Sequence, residues 1–230
     1  MQAKKIWAMY WSATGTTRTV VTAVAGKMAG RLGLPLEEYD FTLPAARQGA
    51  PEFGPEDVVV FGTPTYAGRV PNVLLKYLAT VKGNGAAAVP VVTFGNRAFD
   101  DSLIELRDIL ADNGFRPFAA AAFACEHSFS TTLAAGRPDA DDLALAAQFA
   151  GQAAARVAAL DADTPVIEVP GRAKADRDYY QPRDRAGNSI DIRKVKPKTN
   201  DQCDNCGICA EVCPMGSIDP QDVRQFTGIC

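Results

Sequence analysis

Cysteine is scarce until the end of this chain: of six in 230 residues, only Cys125 precedes position 203. A disulfide scaffold would spread its cysteines through a small secreted chain, so clustering of this kind favours metal. Histidine occurs once, at position 127. No apolar run approaches the roughly 20 residues a membrane span needs. The opening residues, Met1 to Lys5, have neither the apolar stretch nor the cleavage site of a signal peptide, and the expectation is a cytoplasmic protein. Charge of neither sign dominates, because the net is −3; no bulk field draws the chain to nucleic acid or an acidic membrane. Two nucleotide-binding loops are missing as well. There is no G-x-x-x-x-G-K-[ST] of the Walker type and no G-x-G-x-x-G dinucleotide fingerprint. No internal repeat is found.

What is present is an alternation of strand and helix patterns. Lys4 to Trp11, Leu36 to Phe41, Asp57 to Gly62, Val89 to Gly95 and Phe115 to Cys125 read as five strands, the central ones as apolar, β-branched runs typical of a parallel sheet. Between and after them, Arg18 to Leu32, Pro71 to Val81, Asp100 to Asn113 and Asp139 to Leu160 read as helices. In the first, Val21, Val24, Met28 and Leu32 fall three or four apart on one face, and Gly33 suits its C-cap. Such alternation implies right-handed βαβ units and a doubly wound parallel sheet. Ligands bind such sheets at the carboxyl ends of the strands, here the loops at 12–17, 63–70 and 95–100.

The first loop, Ser12-Ala13-Thr14-Gly15-Thr16-Thr17, precedes a helix N-terminus, where unpaired N–H groups and the macrodipole favour an anion. With one glycine and four hydroxyl side chains and no lysine, it suits a terminal monophosphate such as that of FMN; the alternative is an ordinary Ser/Thr cap. Ser12, Thr14, Gly15, Thr16 and Thr17 in this position resemble the phosphate loop of flavodoxins. Thr63-Pro64-Thr65-Tyr66-Ala67-Gly68-Arg69-Val70-Pro71 resembles the family's second loop, which runs along the flavin ring. Phe94-Gly95-Asn96-Arg97-Ala98-Phe99-Asp100-Asp101 resembles the third, which holds the pyrimidine edge. The resemblance covers roughly residues 4–160. It implies a flavodoxin-like five-stranded fold and FMN held by Ser12, Thr14, Gly15, Thr16, Thr17, Pro64, Thr65, Tyr66, Ala67, Gly68, Gly95, Asn96, Arg97, Phe99 and Asp100. Tyr66 and Phe99 are expected to sandwich the ring, with Gly68 and Gly95 letting backbone approach it. Asp100 and Asp101 are expected near the ring, where they disfavour an anionic reduced flavin, a placement compatible with capping the next helix.

Cys203-x-x-Cys206-x-x-Cys209-x-x-x-Cys213-Pro214 matches the bacterial ferredoxin spacing for [4Fe–4S] ligation. Structural zinc would usually pair two C-x-x-C knuckles across a longer loop. In two-cluster ferredoxins the fourth cysteine of such a run serves the other cluster, so a second run is expected, yet the sequence stops at Cys230. The expectation is a truncated chain whose full-length parent carries two clusters and which itself holds none intact, unless Cys213 closes a cluster locally or Cys230 serves. The whole resembles the flavodoxin–ferredoxin fusions known as EFR1-type ferredoxins.

Three segments are expected: 1–162, a flavodoxin-like FMN domain; 163–200, an irregular basic linker; and 201–230, a partial ferredoxin-type segment. Residues 171–200 carry a net of +5 between segments of −4 on either side. That stretch either docks onto one of its neighbours or is a solvated tether. No residue is singled out as catalytic: Cys125 and His127 share a strand-end face, but no third orienting group accompanies them. The expected function is electron transfer between FMN and [4Fe–4S] centres, with a redox protein or a small acceptor as partner. The rival readings are an FMN-dependent reductase of a small molecule such as a quinone, and a binding module with a vestigial flavin site.

Overall fold

The computed structural model describes residues 1–161, 163–192 and 195–229. β1 (Lys5–Tyr10), β2 (Leu36–Asp40), β3 (Asp57–Pro64), β4 (Ala87–Phe94), β5 (Arg116–Pro117) and β6 (Ala121–Ala124) form one parallel sheet in the order β2-β1-β3-β4-β5, with β6 also on β4. That is the flavodoxin-like order, with its switch point between β1 and β3. The five expected strand positions are all filled, but the outermost holds two short pieces. The break spans residues 118–120, where Phe118 still donates its amide to the Ala88 carbonyl (3.1 Å) before the chain re-engages β4 at Ala121.

Side-chain alternation along each strand divides the core in two. Ile6, Ala8 and Tyr10 of β1 with Val58 and Val60 of β3 face one side, under α1 (Thr16–Leu32) and α4 (Ala140–Val157). Trp7, Met9 and Trp11 with Val59 and Phe61 face the other, under α2 (Leu75–Leu78) and α3 (Ser102–Asp112). Burying one such large apolar side chain is worth about 1.5–3 kcal/mol, so β1 and β3, buried on both faces, anchor the sheet. Gly62 is required by packing: a Cβ there would stand 2.2 Å from Val21 Cγ2 of α1.

The helix expected over 71–81 is shorter than its pattern suggests. It is a 3-10 turn, Asn72–Leu74, followed by the single turn of α2. The Thr80 hydroxyl donates to the Tyr77 carbonyl at 2.7 Å and the Thr80 amide does so at 2.8 Å, a local closure that competes with the helical ladder. No helix runs between β2 and β3; a 3-10 turn, Pro44–Arg47, stands there. Beyond residue 200 the only helix among the described residues is α5 (Ile208–Glu211), and a bridge between Ile218 and Phe226 closes a small hairpin around buried Ser217 and Val223.

The basic stretch is not a free tether along its whole length. Residues 172–179 lie against α3, with ion pairs Arg172–Asp101, Lys174–Asp112 and Arg177–Asp108. Of the alternatives open in the sequence, docking onto the first unit is the one realised for this arm.

Candidate functional site

At the carboxyl end of β1 the chain turns through Ser12–Gly15 into α1. Gly15 is the N-cap, in the left-handed region at φ 88°, where a side chain is strained. No side chain caps at that position; instead Ser12 Oγ accepts the Arg18 amide at 3.0 Å. The amides of Thr16 and Thr17, at the head of the helix, donate to nothing among the described residues, and Thr14 is exposed beside them. Thr17 itself is buried, its hydroxyl 2.8 Å from that of Thr93. What Thr17 offers a ligand is therefore its amide, while its side chain pins α1 to β4.

The second loop makes a tight turn. The Tyr66 and Arg69 backbones exchange both hydrogen bonds (2.9 and 3.1 Å), with Ala67 and Gly68 at φ 50° and 78°. Pro64 ends β3. The Thr65 hydroxyl lies 2.7 Å from that of Ser102, which itself donates to the Phe99 carbonyl, so Thr65 spends its proton on Ser102 and keeps its oxygen as an acceptor. Tyr66 is 41% exposed and meets Trp11 edge-on at 5.8 Å. The third loop lies alongside: Asn96 and Asp100 take positive φ, and Arg97 pairs with Asp100. Phe99 packs on Phe94 (5.6 Å) and the core cluster rather than standing free. The two glycines expected to admit the flavin ring already admit protein atoms. A Cβ on Gly68 would lie 2.6 Å from Asp100 Oδ2, and one on Gly95 2.6 Å from His127 Cδ2. Their smallness lets the loops touch each other and the 125–138 segment.

Three buried polar atoms at this edge have no partner among the described residues: Trp11 Nε1, just beyond β1, Thr63 Oγ1, near the end of β3, and Arg69 Nη1 in the second loop. Trp11 and Thr63 occupy adjoining positions on the same face of neighbouring strands, since Tyr10 pairs with Gly62. Orphaned groups of this kind call for an explanation, and a ligand carrying both donors and acceptors at the strand ends supplies one. The residues present therefore fit a phosphate-bearing redox cofactor such as FMN.

Sequence reasoning missed what fixes the second loop. Arg69, 7% exposed, grips Glu105 of α3 through Nε (2.8 Å) and Nη2 (2.6 Å), and the Val70 amide donates to the same carboxylate at 2.8 Å. Tyr179 of the arm closes the assembly, its ring 4.1 Å from the Arg69 guanidinium carbon and its hydroxyl donating to Glu105 (3.1 Å). Burial, with Glu105 beside it, pushes that hydroxyl up to about 12, so it remains a neutral donor. Asp101 stands at the α3 N-cap position but makes no cap bond; its carboxylate accepts the Arg172 amide and guanidinium, both at 2.8 Å. Between loops and arm lies an open cleft of about 570 Å³, lined by Ala67, Gly68 and Asp100 on one side and Arg172, Asp178 and Tyr180 on the other.

Burial alone would raise the Asp101 carboxyl, but the two Arg172 contacts outweigh it and hold the group below the usual carboxylate range. A depressed folded value contributes stability above the unfolded value, about 3.9, and loses it as pH falls through the folded one. The arm is thus expected to stay docked from pH 7 to about 5 and to loosen below about 4. The Arg172 amide resonance in a two-dimensional NMR titration reads this directly; an unmoved resonance down to pH 2.5 or so would contradict it.

Cys125 is 2% exposed, and burial pushes its thiol up to about 12, which denies it the thiolate a nucleophile needs. His127 accepts the Phe129 amide at Nδ1 (3.1 Å), so the neutral ring carries its proton on Nε2. Among the described residues no hydrogen bond links the Cys125 and His127 side chains.

In the last segment Cys203, Cys206, Cys209 and Cys213 are all unpaired thiols, half-buried or exposed. Gly207, at φ 84°, turns the chain between Cys206 and Cys209, and the Ser217 amide donates to Cys213 Sγ at 3.4 Å. Among the described residues no three metal-binding side chains converge as a ready-made single-ion site. Soft thiols at these spacings nevertheless suit iron in a cluster. Cys230, the alternative ligand, lies outside the described residues.

Comparison with known proteins gives a family match in the last segment and likenesses of fold elsewhere. Residues 197–219 match the family model of the 4Fe-4S binding domain. No curated protein matches the chain. Among solved structures it is similar to a flavodoxin of Streptococcus pneumoniae, at 20% identity over 67% of this chain and 99% of that one, with a TM-score of 0.45. A flavodoxin from the domain Archaea gives 12% identity, 67% and 99% coverage and a TM-score of 0.48. The apo form of an NADH:FMN oxidoreductase gives 18%, 76% and 100%, and 0.48. Among the described residues no helix is long and apolar enough to cross a membrane. The chain joins a parallel sheet in the order β2-β1-β3-β4-β5 to a segment that matches the 4Fe-4S binding domain.

Proposed function

We propose that this protein binds FMN across its three strand-end loops and passes electrons between it and a [4Fe–4S] centre on the cysteine segment. The observation that carries the reading is the head of α1, where the uncommitted amides of Thr16 and Thr17 stand among the hydroxyls of Ser12, Thr14 and Thr16 with no cation beside them in the loop. A helix start of that make-up holds a monophosphate by neutral donors and the macrodipole. The Tyr66–Arg69 turn and residues 95–100 would frame the ring, with Tyr66 as the exposed aromatic. Cys203, Cys206 and Cys209 would supply three thiolates to one cluster, with Cys213 or Cys230 as its fourth ligand in this chain. Bound in place, the flavin would bring redox chemistry that the surrounding donors tune, and the cluster a one-electron centre. A cytoplasmic, reducing setting suits the free cysteine run.

A carrier is favoured over a reductase of small molecules by the cleft beside the loops. It is walled by the chain's own arm, through Arg172, Asp178 and Tyr180, and His127 does not line it. The natural partner is then another redox protein rather than a quinone. The purified chain, reconstituted with FMN, iron and sulfide, is expected to show flavin absorption, about one FMN per chain, and iron with acid-labile sulfide that Cys203→Ser removes without loss of flavin. A protein that stays colourless and takes up no FMN at micromolar concentration refutes the reading.

A further inference from the structure

We propose that Arg47 is the positioning residue that seats the cysteine-bearing segment on the flavodoxin-like unit and ties its position to the phosphate loop. The inference rests on the functional reading above only for the names of those two parts. Arg47 ends the 3-10 turn between β2 and β3. Its Nη2 donates to the carbonyl of Pro214, immediately after Cys213, at 2.6 Å. Its Nη1 donates to the carbonyls of Phe41 (3.0 Å) and Thr42. Thr42 in turn accepts the Ser12 amide on Oγ1 at 2.8 Å. Three links in series thus connect the Cys-Pro turn to the first residue of the α1 loop, the first of them joining residues 167 positions apart in sequence.

Three features argue against an arginine that merely tidies its own loop. All its acceptors are carbonyls, and no carboxylate among the described residues lies in ion-pair reach, so its charge is left over at the seam. The segment seated there, residues 201–230, carries a net of −4, which that charge complements. The turn and the segment also touch directly, since a Cβ on Gly216 would lie 3.0 Å from Pro44 Cγ. Reaching carbonyls on both sides needs a planar fork of donors, which lysine lacks.

The test is hydrogen–deuterium exchange on the full chain as purified, comparing Arg47→Gln, Arg47→Lys and Thr42→Val with the parent. Arg47→Gln is expected to speed exchange at 215–217 by about tenfold or more, and at Ser12 as well, while peptides from β3 stay unchanged. Arg47→Lys, which keeps the charge and loses the fork, should still loosen 215–217. Thr42→Val removes only the last link; it should loosen Ser12 and leave 215–217 as in the parent. Faster exchange confined to 41–47 in both Arg47 variants overturns the proposal. If Arg47→Gln fails to fold, the lysine variant decides alone. Because the readout needs neither flavin nor iron, a colourless parent that still shows this pattern would sink the functional reading and leave the clamp standing, and the reverse result would do the opposite.

Discussion

Glu105→Ala is expected to destabilise the protein by about 3–5 kcal/mol, the range for removing one partner of a buried ion pair. Glu105 and Arg69 side chains are each 8% exposed, so water cannot take over for the missing carboxylate. The variant strands a guanidinium that already has one unpartnered nitrogen, Nη1. It also takes the acceptor from the Val70 amide and the Tyr179 hydroxyl. Against a total stability of about 5–15 kcal/mol, a loss of that size lowers the melting temperature by about 10 °C in a chain this long. Glu105→Gln keeps an acceptor for Val70 and should cost less. Replacing both partners, Arg69→Met with Glu105→Leu, should recover much of the deficit, because desolvation of the two charges disappears together. Thermal and urea melts followed by far-ultraviolet circular dichroism measure all three. A single-variant loss under about 1 kcal/mol, or a double variant no better than Glu105→Ala, would show that the pair does not fix the loop. The same substitution should free the arm, since Tyr179 loses both its hydrogen bond and an ordered cation to stack on.

That network marks the limit of what the sequence discloses. Strands β1 and β3 are legible because the residues after Lys5 in KIWAMY and after Asp57 in DVVVFG report burial on both sheet faces, a signal that survives without tertiary information. The α1 loop is legible because its hydroxyls and glycine are contiguous, and so is the cysteine run. Arg69 and Glu105 are 36 residues apart, on a loop and a helix face that only the crossing of α3 brings together. Each alone looks like an ordinary solvated charge. The arm was half legible: its excess of Lys and Arg announced an electrostatic partner, but the choice of α3 depends on Asp101, Asp108 and Asp112 recurring along one side of that helix. Gly68 and Gly95 show a different gap. Sequence marked them as sites of close approach, and the structure adds Asp100 and His127 as neighbours there, because a missing Cβ reports that something is near without reporting what.

If FMN sits as proposed, the loop at the head of α1 carries the second large effect. Thr14→Val, Gly15→Ala and Thr16→Val combined are expected to weaken FMN binding at least about a hundredfold. Each valine removes a hydroxyl donor to a dianionic phosphate, and a hydrogen bond to a charged group is worth about 1.5–3 kcal/mol. Two such bonds correspond to about two to four decades in dissociation constant. Alanine at position 15 adds strain of about 1–2 kcal/mol at φ 88° and turns the Thr16 and Thr17 amides away from their common focus. Thr17 is left unaltered for a reason the structure supplies: its hydroxyl faces Thr93 in the core. Thr17→Val should therefore lower stability by about 1–3 kcal/mol, by leaving the Thr93 hydroxyl unpaired, while changing FMN affinity little. Titration of apoprotein into FMN, read by fluorescence quenching, separates the two cases. If the triple variant binds as the parent does, the phosphate lies elsewhere. If Thr17→Val proves the more damaging to binding, its hydroxyl turns outward when ligand arrives, and the division of labour between amide and side chain at the head of α1 is reversed.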